Sequence, residues 1–140
     1  MSHPTLELKR TYLAMRRAVE HTVKPFDVTG AQFDVLQFLL HGDGMEHREL
    51  QRRLSVTSPT LTNILDGMVK EGHLVRHADP HDGRVKRLYL GQAARKLVSS
   101  QEFCDAGDAL VARMFRGFTD KERLEFSRAL SRIESNLDGG

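Results

Sequence analysis

Residues 46–91, EHRELQRRLSVTSPTLTNILDGMVKEGHLVRHADPHDGRVKRLYLG, contain two helical patterns joined by a short break and followed by two extended segments. Leu50 and Leu54 are one helical turn apart, which predicts a helix over residues 46–54. After the break, Ser58 can cap a helix N-terminus and the proline that follows it is tolerated in a first turn. A second helix is therefore predicted to begin at Ser58.

This second helix, predicted over residues 58–71, has one apolar stripe and one polar face. From Leu61 onward, apolar side chains recur at the spacing of a single buried stripe, and Gly72 stands where a left-handed C-terminal cap is favoured. The opposite face is polar and begins with small residues. It comprises Pro59, Asn63, Asp66, Gly67 and Lys70, with Thr60 and Thr62 on its flanks.

The extended segments predict a β-hairpin over residues 73–90, because turn-forming residues separate them at 79–83. Arg84, Lys86 and Arg87 stand at or near its tip. A helix can enter the major groove of DNA with its first turn at the base edges, and a cationic hairpin can follow phosphates or place a guanidinium in the minor groove. The stretch therefore predicts a helix-turn-helix followed by a wing, which suits binding to double-stranded DNA.

These motifs resemble those of the MarR family of winged helix-turn-helix transcription regulators. The most specific match is the Asp-any-Arg motif of the wing, which follows the segment EGHLVR at 71–76. The other matching positions are Leu50, Leu54, Ser55, Val56, Ser58 to Thr62, Leu65, Asp79, Pro80, and Leu88 to Leu90.

The resemblance implies a mainly α fold with a small β-hairpin wing and dimerisation helices at both ends. The expected divisions are an N-terminal dimerisation helix over 1–28, the winged helix-turn-helix over 29–91, and C-terminal dimerisation helices over 92–140. Asn63 stands where the family usually has a basic residue, and an amide suits adenine better than guanine. Gly91 and Ala94 replace a Thr and a Gly at the junction into the next helix.

The candidate DNA-binding residues lie in the second helix, the wing and the preceding helix. Arg84 is expected in the minor groove, with Asp82 either orienting its guanidinium or acting only as its ion-pair partner. The other cations, Lys86, Arg87, Arg48 and Arg53, could equally contact phosphate or serve only as solvated surface charge. The full set is Ser58, Pro59, Thr60, Thr62, Asn63, Asp82, Arg84, Lys86, Arg87, Arg48 and Arg53.

Before this stretch, Thr5 can cap a helix that runs to about Val23. Thr29 and Gln32 form a capping-box pattern, and Val28 can pack on Phe33 as a hydrophobic staple. The helix that follows is predicted to bury the side chains of Phe33, Leu36, Leu39 and Leu40.

After the wing, one long helix is predicted from Gln92 to about Arg116. Apolar residues recur along it at sevenfold spacing, at Leu97, Cys104, Val111 and Phe118. Gly117 closes it, and a second capping box at 119–122 opens a last helix. An apolar stripe this long exceeds what one small domain can cover, so a homodimer is expected.

Composition limits the functional classes. The chain of 140 residues fits one domain with dimerisation arms, and its net charge of +2 is too small to indicate a nucleic-acid partner unaided. A single cysteine and no apolar run of membrane-spanning length predict a cytoplasmic protein without membrane association.

Chemical motifs are also missing. The chain shows no nucleophile beside a base and no Gly-rich phosphate loop, so an enzyme is not expected, nor is a cofactor. His73, His77 and His81 repeat every fourth residue, but on a strand and turn that spacing separates side chains, so a metal site is disfavoured. Cys104 is expected to be a buried small hydrophobe and not a redox sensor.

These observations predict a sequence-specific DNA-binding regulator, a ligand-responsive repressor acting as a homodimer on a pseudo-palindromic operator. Its small-molecule effector and the residues that bind it are not identified by the sequence. Two alternatives stay open: a winged-helix module that binds a protein partner, and a metal-responsive or redox-responsive variant of the regulator.

Overall fold

The computed structural model describes residues 3–139, which fall into two compact units, one up to Gly107 and one from Asp108 onward. The described residues are mostly helical with one small sheet, which confirms the predicted fold class. The helices are α1 (Pro4–Val23), α2 (Gly30–His41), α3 (His47–Leu54), α4 (Ser58–Lys70), α5 (Gln92–Val98), α6 (Gln101–Met114) and α7 (Asp120–Asp138). The strands are β1 (Met45–Glu46), β2 (Leu74–Ala78) and β3 (Lys86–Leu90), and a short 3-10 helix spans Lys24–Phe26.

Side-chain caps set the starts of the first two helices. α1 begins at Pro4 with His3 as its cap, whose Nδ1 accepts the backbone N–H of Thr5 at 3.3 Å, so the prediction of Thr5 as the cap was wrong. The capping box of α2 is confirmed in both directions. The Gln32 N–H donates to Thr29 Oγ1 at 3.1 Å, and the Thr29 N–H donates to Gln32 Oε1 at 3.1 Å.

The core of the first unit lies between α2, α3, α4 and the sheet. Its fully enclosed side chains are Leu36, Leu39, Leu50, Leu61, Leu65, Met68, Leu74, Leu88 and Val35. Leu40, predicted to be buried, is 49% exposed, whereas Val35 is enclosed. The apolar stripe of α2 runs through Val35, Leu36 and Leu39, and Leu40 lies about 100° further round the helix from Leu39, beyond its edge.

The sheet has the order β1-β3-β2, with both pairs antiparallel. The hairpin pairs Leu74 with Leu90 and Ala78 with Lys86, as expected for the wing. β1 adds Met45 opposite Leu88 on the other side of β3. The sequence did not predict β1, because two residues are too short to show an alternating pattern.

The predicted long helix after the wing is two helices, α5 and α6, so that prediction was wrong. The Ser99 hydroxyl donates to the Arg95 carbonyl at 2.8 Å, and Ser100 Oγ accepts the Phe103 N–H at 3.3 Å. Serine hydroxyls compete in this way with the helical hydrogen bonds, and here they end one helix and start the next.

The sevenfold residues therefore do not share one helix. Leu97 lies on α5, Cys104 and Val111 lie on α6, and Phe118 lies beyond the end of α6. Cys104 is exposed in the chain, which contradicts its expected burial.

In the second unit, α7 begins with the predicted capping box. The Glu122 N–H donates to Thr119 Oγ1 at 3.1 Å, and the Thr119 N–H donates to Glu122 Oε1 at 2.9 Å. The Phe115 ring meets the rings of Phe118 and Phe126 at centroid distances of 5.4 and 5.6 Å. Leu124, Leu130, Ile133 and Leu137 of α7 remain exposed.

Candidate nucleic-acid interface

The turn between α3 and α4 fixes where α4, the predicted recognition helix, begins. Ser55 ends α3 with a left-handed backbone, at φ 52°. Thr57 is the cap of α4, because its Oγ1 accepts the Thr60 N–H at 3.4 Å. The prediction of Ser58 as the cap was therefore wrong by one residue, and Ser58 and Pro59 are the first two residues of the helix.

α4 presents a buried stripe and an exposed polar face. Leu61, Leu65 and Met68 are fully enclosed. The predicted DNA-binding residues of this helix are all exposed: Ser58, Pro59, Thr60, Thr62 and Asn63. The packed stripe thus anchors the helix on the core and leaves the polar face of its first two turns exposed.

The C-terminal end of α4 has the left-handed glycine cap that the sequence predicts. Gly72 has φ 81°, its N–H donates to the Val69 carbonyl at 3.1 Å, and the His73 N–H donates to the Met68 carbonyl at 2.8 Å. This pair of bonds satisfies the last carbonyls of the helix and turns the chain directly into β2.

The tip of the wing is organised by Asp79. One carboxylate oxygen of Asp79 accepts the N–H groups of His81 and Asp82 at 2.8 and 3.2 Å. Asp82 in turn accepts both the backbone N–H and Nε of Arg84, at 3.1 and 3.2 Å. The side chain of Arg84 is 92% exposed. The wing therefore presents an oriented but open guanidinium.

Arg87 occupies a different position from the one its sequence neighbours suggest. Its Nε donates to Asp79 Oδ2 at 2.6 Å, while its two terminal nitrogens donate to the Gly44 carbonyl at 3.0 Å and to Glu46 at 3.3 Å. Arg87 thus joins the turn of the wing to β1, from a position one pair beyond the turn end of the hairpin. Its guanidinium already has three partners within the chain.

We expect the contact between Asp79 and Arg87 to make the stability of the wing turn depend on pH. The side-chain hydrogen bond from Arg87, followed by the N–H of His81, holds the pKa of Asp79 below its usual value. We expect the stability from this contact to be present above the unfolded pKa of about 4 and to be lost as the pH falls through the lower folded pKa. Urea unfolding between pH 5 and pH 3 should show a steeper loss for the wild type than for Asp79→Asn. Parallel curves would contradict this role.

An open groove lies between α3, α4 and the wing, and many of the predicted interface residues line it. Ser58 and Thr62 line it from α4, and Arg48 lines it from α3. From the wing it is lined by Asp82, Arg84 and Lys86. Pro59, Thr60 and Asn63 lie exposed on α4 outside this lining. Six of the lining residues were not among the predicted site residues: Glu46, His47, Gln51, Asp66, Arg76 and Val85.

The remaining predicted cation, Arg53, lies on α3 and does not line the groove. Its Nε donates to Glu49 at 2.8 Å, and Glu49 also pairs with Arg52 at 2.8 Å. The hydrogen bonds from these two arginines hold the pKa of Glu49 below its usual value. Because Arg53 lies outside the groove, it is a weaker candidate for phosphate contact than Arg48, which lines it.

Two further properties concern residues 3–139 as a whole. Within that range no cluster of three or more His, Cys, Asp or Glu side chains is placed to hold a metal ion. His77 instead packs on the Tyr89 ring at 5.6 Å. No helix in the described range is both long and apolar enough to cross a bilayer.

Comparison with known proteins agrees with this architecture. Residues 26–85, from the end of the short 3-10 helix to the residue before β3, match the model of the MarR family. The chain is 29% identical over 112 residues to the uncharacterized HTH-type transcriptional regulator YsmB of Bacillus subtilis, covering 80% of this chain and 75% of that protein.

Two solved structures share nearly the whole fold. A MarR transcriptional regulator from Methanosarcina mazei Go1 superposes with a TM-score of 0.83 at 22% identity, covering 94% of each chain. A MarR-family regulator from Listeria monocytogenes, solved in complex with a 26mer DNA, superposes with a TM-score of 0.84 at 17% identity. That alignment covers 98% of this chain and 90% of the other. With its helix-turn-helix and its wing, the chain is similar to transcription regulators of the MarR family.

Proposed function

We propose that this protein is a homodimeric, sequence-specific DNA-binding repressor that occupies a pseudo-palindromic operator. The observation that carries the proposal is that the exposed face of α4 and the exposed Arg84 border the same groove. The DNA-bound structure of the Listeria monocytogenes relative supports the same use of the fold.

In this arrangement α4 enters the major groove and the tip of the wing reaches the adjacent minor groove. Asn63 is exposed on α4, and its amide reads a base edge, with adenine as the best partner. Arg84, oriented by Asp82, is inserted in the minor groove, where a narrow, electronegative groove favours a guanidinium. Lys86 and Arg48 contact phosphates, which add affinity without sequence preference.

The homodimer is supported by large apolar side chains that the single chain leaves exposed. On α1 these include Leu6, Tyr12 and Leu13, each more than 40% exposed. On α7, Leu130 and Ile133 are each 40% exposed and Leu137 is 79% exposed. A second copy that covers these faces would present a second α4 about 34 Å away, one turn of DNA from the first.

Two substitutions test the DNA contacts on a site selected from random duplex DNA by the purified protein. Arg84→Ala should weaken binding by about 1–3 kcal/mol and reduce the slope of log Kd against log salt, because one charged contact is lost. Asn63→Ala should weaken binding to the selected site more than binding to random DNA, because a base contact carries the sequence preference. Gel shifts over a salt series measure both effects.

Lys96→Ala is the matched control for charge, since Lys96 is exposed on α5 and outside the groove. It should leave affinity close to that of the wild type. If both interface variants also bind as the wild type does, the proposed docking is wrong. Wild-type protein with no preferred sequence and little salt dependence would instead favour a winged-helix module that binds a protein partner.

Regulation by a small-molecule effector belongs to the same proposal. An effector that binds one arrangement of the two recognition helices more tightly than the other shifts the dimer toward that arrangement. A changed distance between the helices lowers operator affinity, because both must enter the DNA on one face. Neither the effector nor its binding residues are assigned.

A further inference from the structure

Arg76 lies on β2 in the groove that separates the recognition helix from the tip of the wing. Its side chain is 33% exposed, and one terminal nitrogen donates to Asp66 Oδ1 on α4 at 2.6 Å. This ion pair joins the wing to the recognition helix. Both of its members line the groove together with Arg48 and Lys86. The groove is also lined by two other acids, and each of them is paired with an arginine: Asp82 with Arg84 and Glu46 with Arg87.

The geometry of the double helix determines what must cross this groove. Adjacent major and minor grooves of a duplex are separated by the sugar-phosphate backbone of one strand. If α4 occupies the major groove and Arg84 the minor groove, that backbone must pass over the concave surface between them. Residues that line the concavity therefore face phosphates, whatever the base sequence is.

Arg76 has the chemistry that this position requires. A guanidinium carries five N–H donors in a planar fork, and the bond to Asp66 uses one of them. The remaining donors can bind a phosphate oxygen pair, which is the bidentate geometry that favours arginine over lysine. Asp66 fixes the orientation of the guanidinium before DNA is bound.

We propose that Arg76 is a phosphate-binding residue of the DNA interface and that Asp66 is its positioning residue. The inference rests on the proposed function, since it requires α4 and Arg84 to lie in neighbouring grooves. It adds a contact between the helix and the wing, at a position where the sequence pattern indicated only a strand residue.

Three variants test the role of Arg76: Arg76→Gln, Arg76→Lys and Asp66→Asn. Dissociation constants are measured over a potassium chloride series on the selected site and on a random duplex of equal length. Arg76→Gln should reduce the slope of log Kd against log salt by about one and weaken both DNAs by the same factor. Arg76→Lys and Asp66→Asn keep the positive charge at residue 76 and should keep the wild-type slope.

A purely structural ion pair predicts a different pattern. In that case Arg76→Gln and Asp66→Asn break the same contact, lose affinity to the same extent and leave the slope unchanged, which would overturn the inference. Arg76→Lys keeps the charge and can keep the ion pair with Asp66 but loses the bidentate fork, so it should weaken both DNAs by the same factor at the wild-type slope. Wild-type affinity in this variant would overturn the inference, and the variant serves if Arg76→Gln fails to fold. If the wild-type protein binds DNA without salt dependence, the proposed function itself is wrong. If the affinity of the wild type depends on salt and Arg76→Gln keeps the same slope of log Kd against log salt, only the role of Arg76 is wrong.

Discussion

Replacing Leu39 by alanine should lower the free energy of unfolding by about 2–5 kcal/mol, because it removes a fully enclosed side chain and leaves a cavity. Leu39 is 0% exposed in the core that α2 forms with α3, α4 and the sheet. Urea unfolding at one fixed protein concentration measures the change, and the fixed concentration matters because dimerisation would contribute to apparent stability.

Leu40→Ala is the matched control, with the same chemical change at the next residue. Leu40 is 49% exposed, so its loss should cost less than about 1 kcal/mol. Equal destabilisation by the two substitutions would contradict the orientation of α2. The pair therefore tests directly the position where the sequence pattern and the structure disagree.

Gly91→Ala should also destabilise the fold, by about 1–3 kcal/mol, because the junction between β3 and α5 has no room for a side chain. A Cβ at residue 91 would clash with the Gly72 carbonyl oxygen and would lie 3.0 Å from the carbonyl carbon of His73. Both neighbours are backbone atoms, and the Gly91 N–H donates to the His73 carbonyl at 2.7 Å. The added methyl group must therefore displace the cap of the recognition helix. Thermal or urea unfolding of the variant measures the loss.

Gly67→Ala provides the opposite case within the same unit. Gly67 lies inside α4, and a Cβ there meets no heavy atom within 4 Å. Alanine in a helix interior is favoured over glycine by about 0.5–1 kcal/mol, so this variant should be more stable than the wild type. Loss of stability at residue 67, or none at residue 91, would show that these glycines are placed differently.

Much of the fold follows from local patterns in the sequence. The capping boxes at Thr29 and Thr119, the left-handed cap at Gly72 and the buried stripe of α4 each depend on residues close together in the chain. Patterns of this kind are set by backbone hydrogen bonding and helical periodicity, and the sequence shows both. The sevenfold spacing after the wing predicted one long helix, but Ser99 and Ser100 interrupt it. The spacing of apolar residues does not show where serine hydroxyls compete with the helical hydrogen bonds.

For the candidate site, too, the features set by local sequence could be predicted and the contacts between elements could not. Exposure of Ser58, Asn63 and Arg84 could be predicted, because each lies opposite an apolar pattern or in a turn. The ion pairs of Arg87 and Arg76 could not be predicted, because their partners Glu46 and Asp66 lie on other elements, β1 and α4. A basic residue in a hairpin is a surface charge by pattern alone, and only the packing of β1 and α4 shows which acid it meets.

The contacts of Arg87 with Asp79, Glu46 and Gly44 have a consequence for how the wing discriminates between DNA sequences. They tie the hairpin to its own turn and to β1, so the wing is preorganised and should lose little conformational entropy when it docks as proposed. A wing held in this way adjusts less readily to a minor groove of unsuitable width. Docked as proposed, the wing should favour sites where the minor groove is already narrow, as in A-tracts, and should gain selectivity there without a base contact.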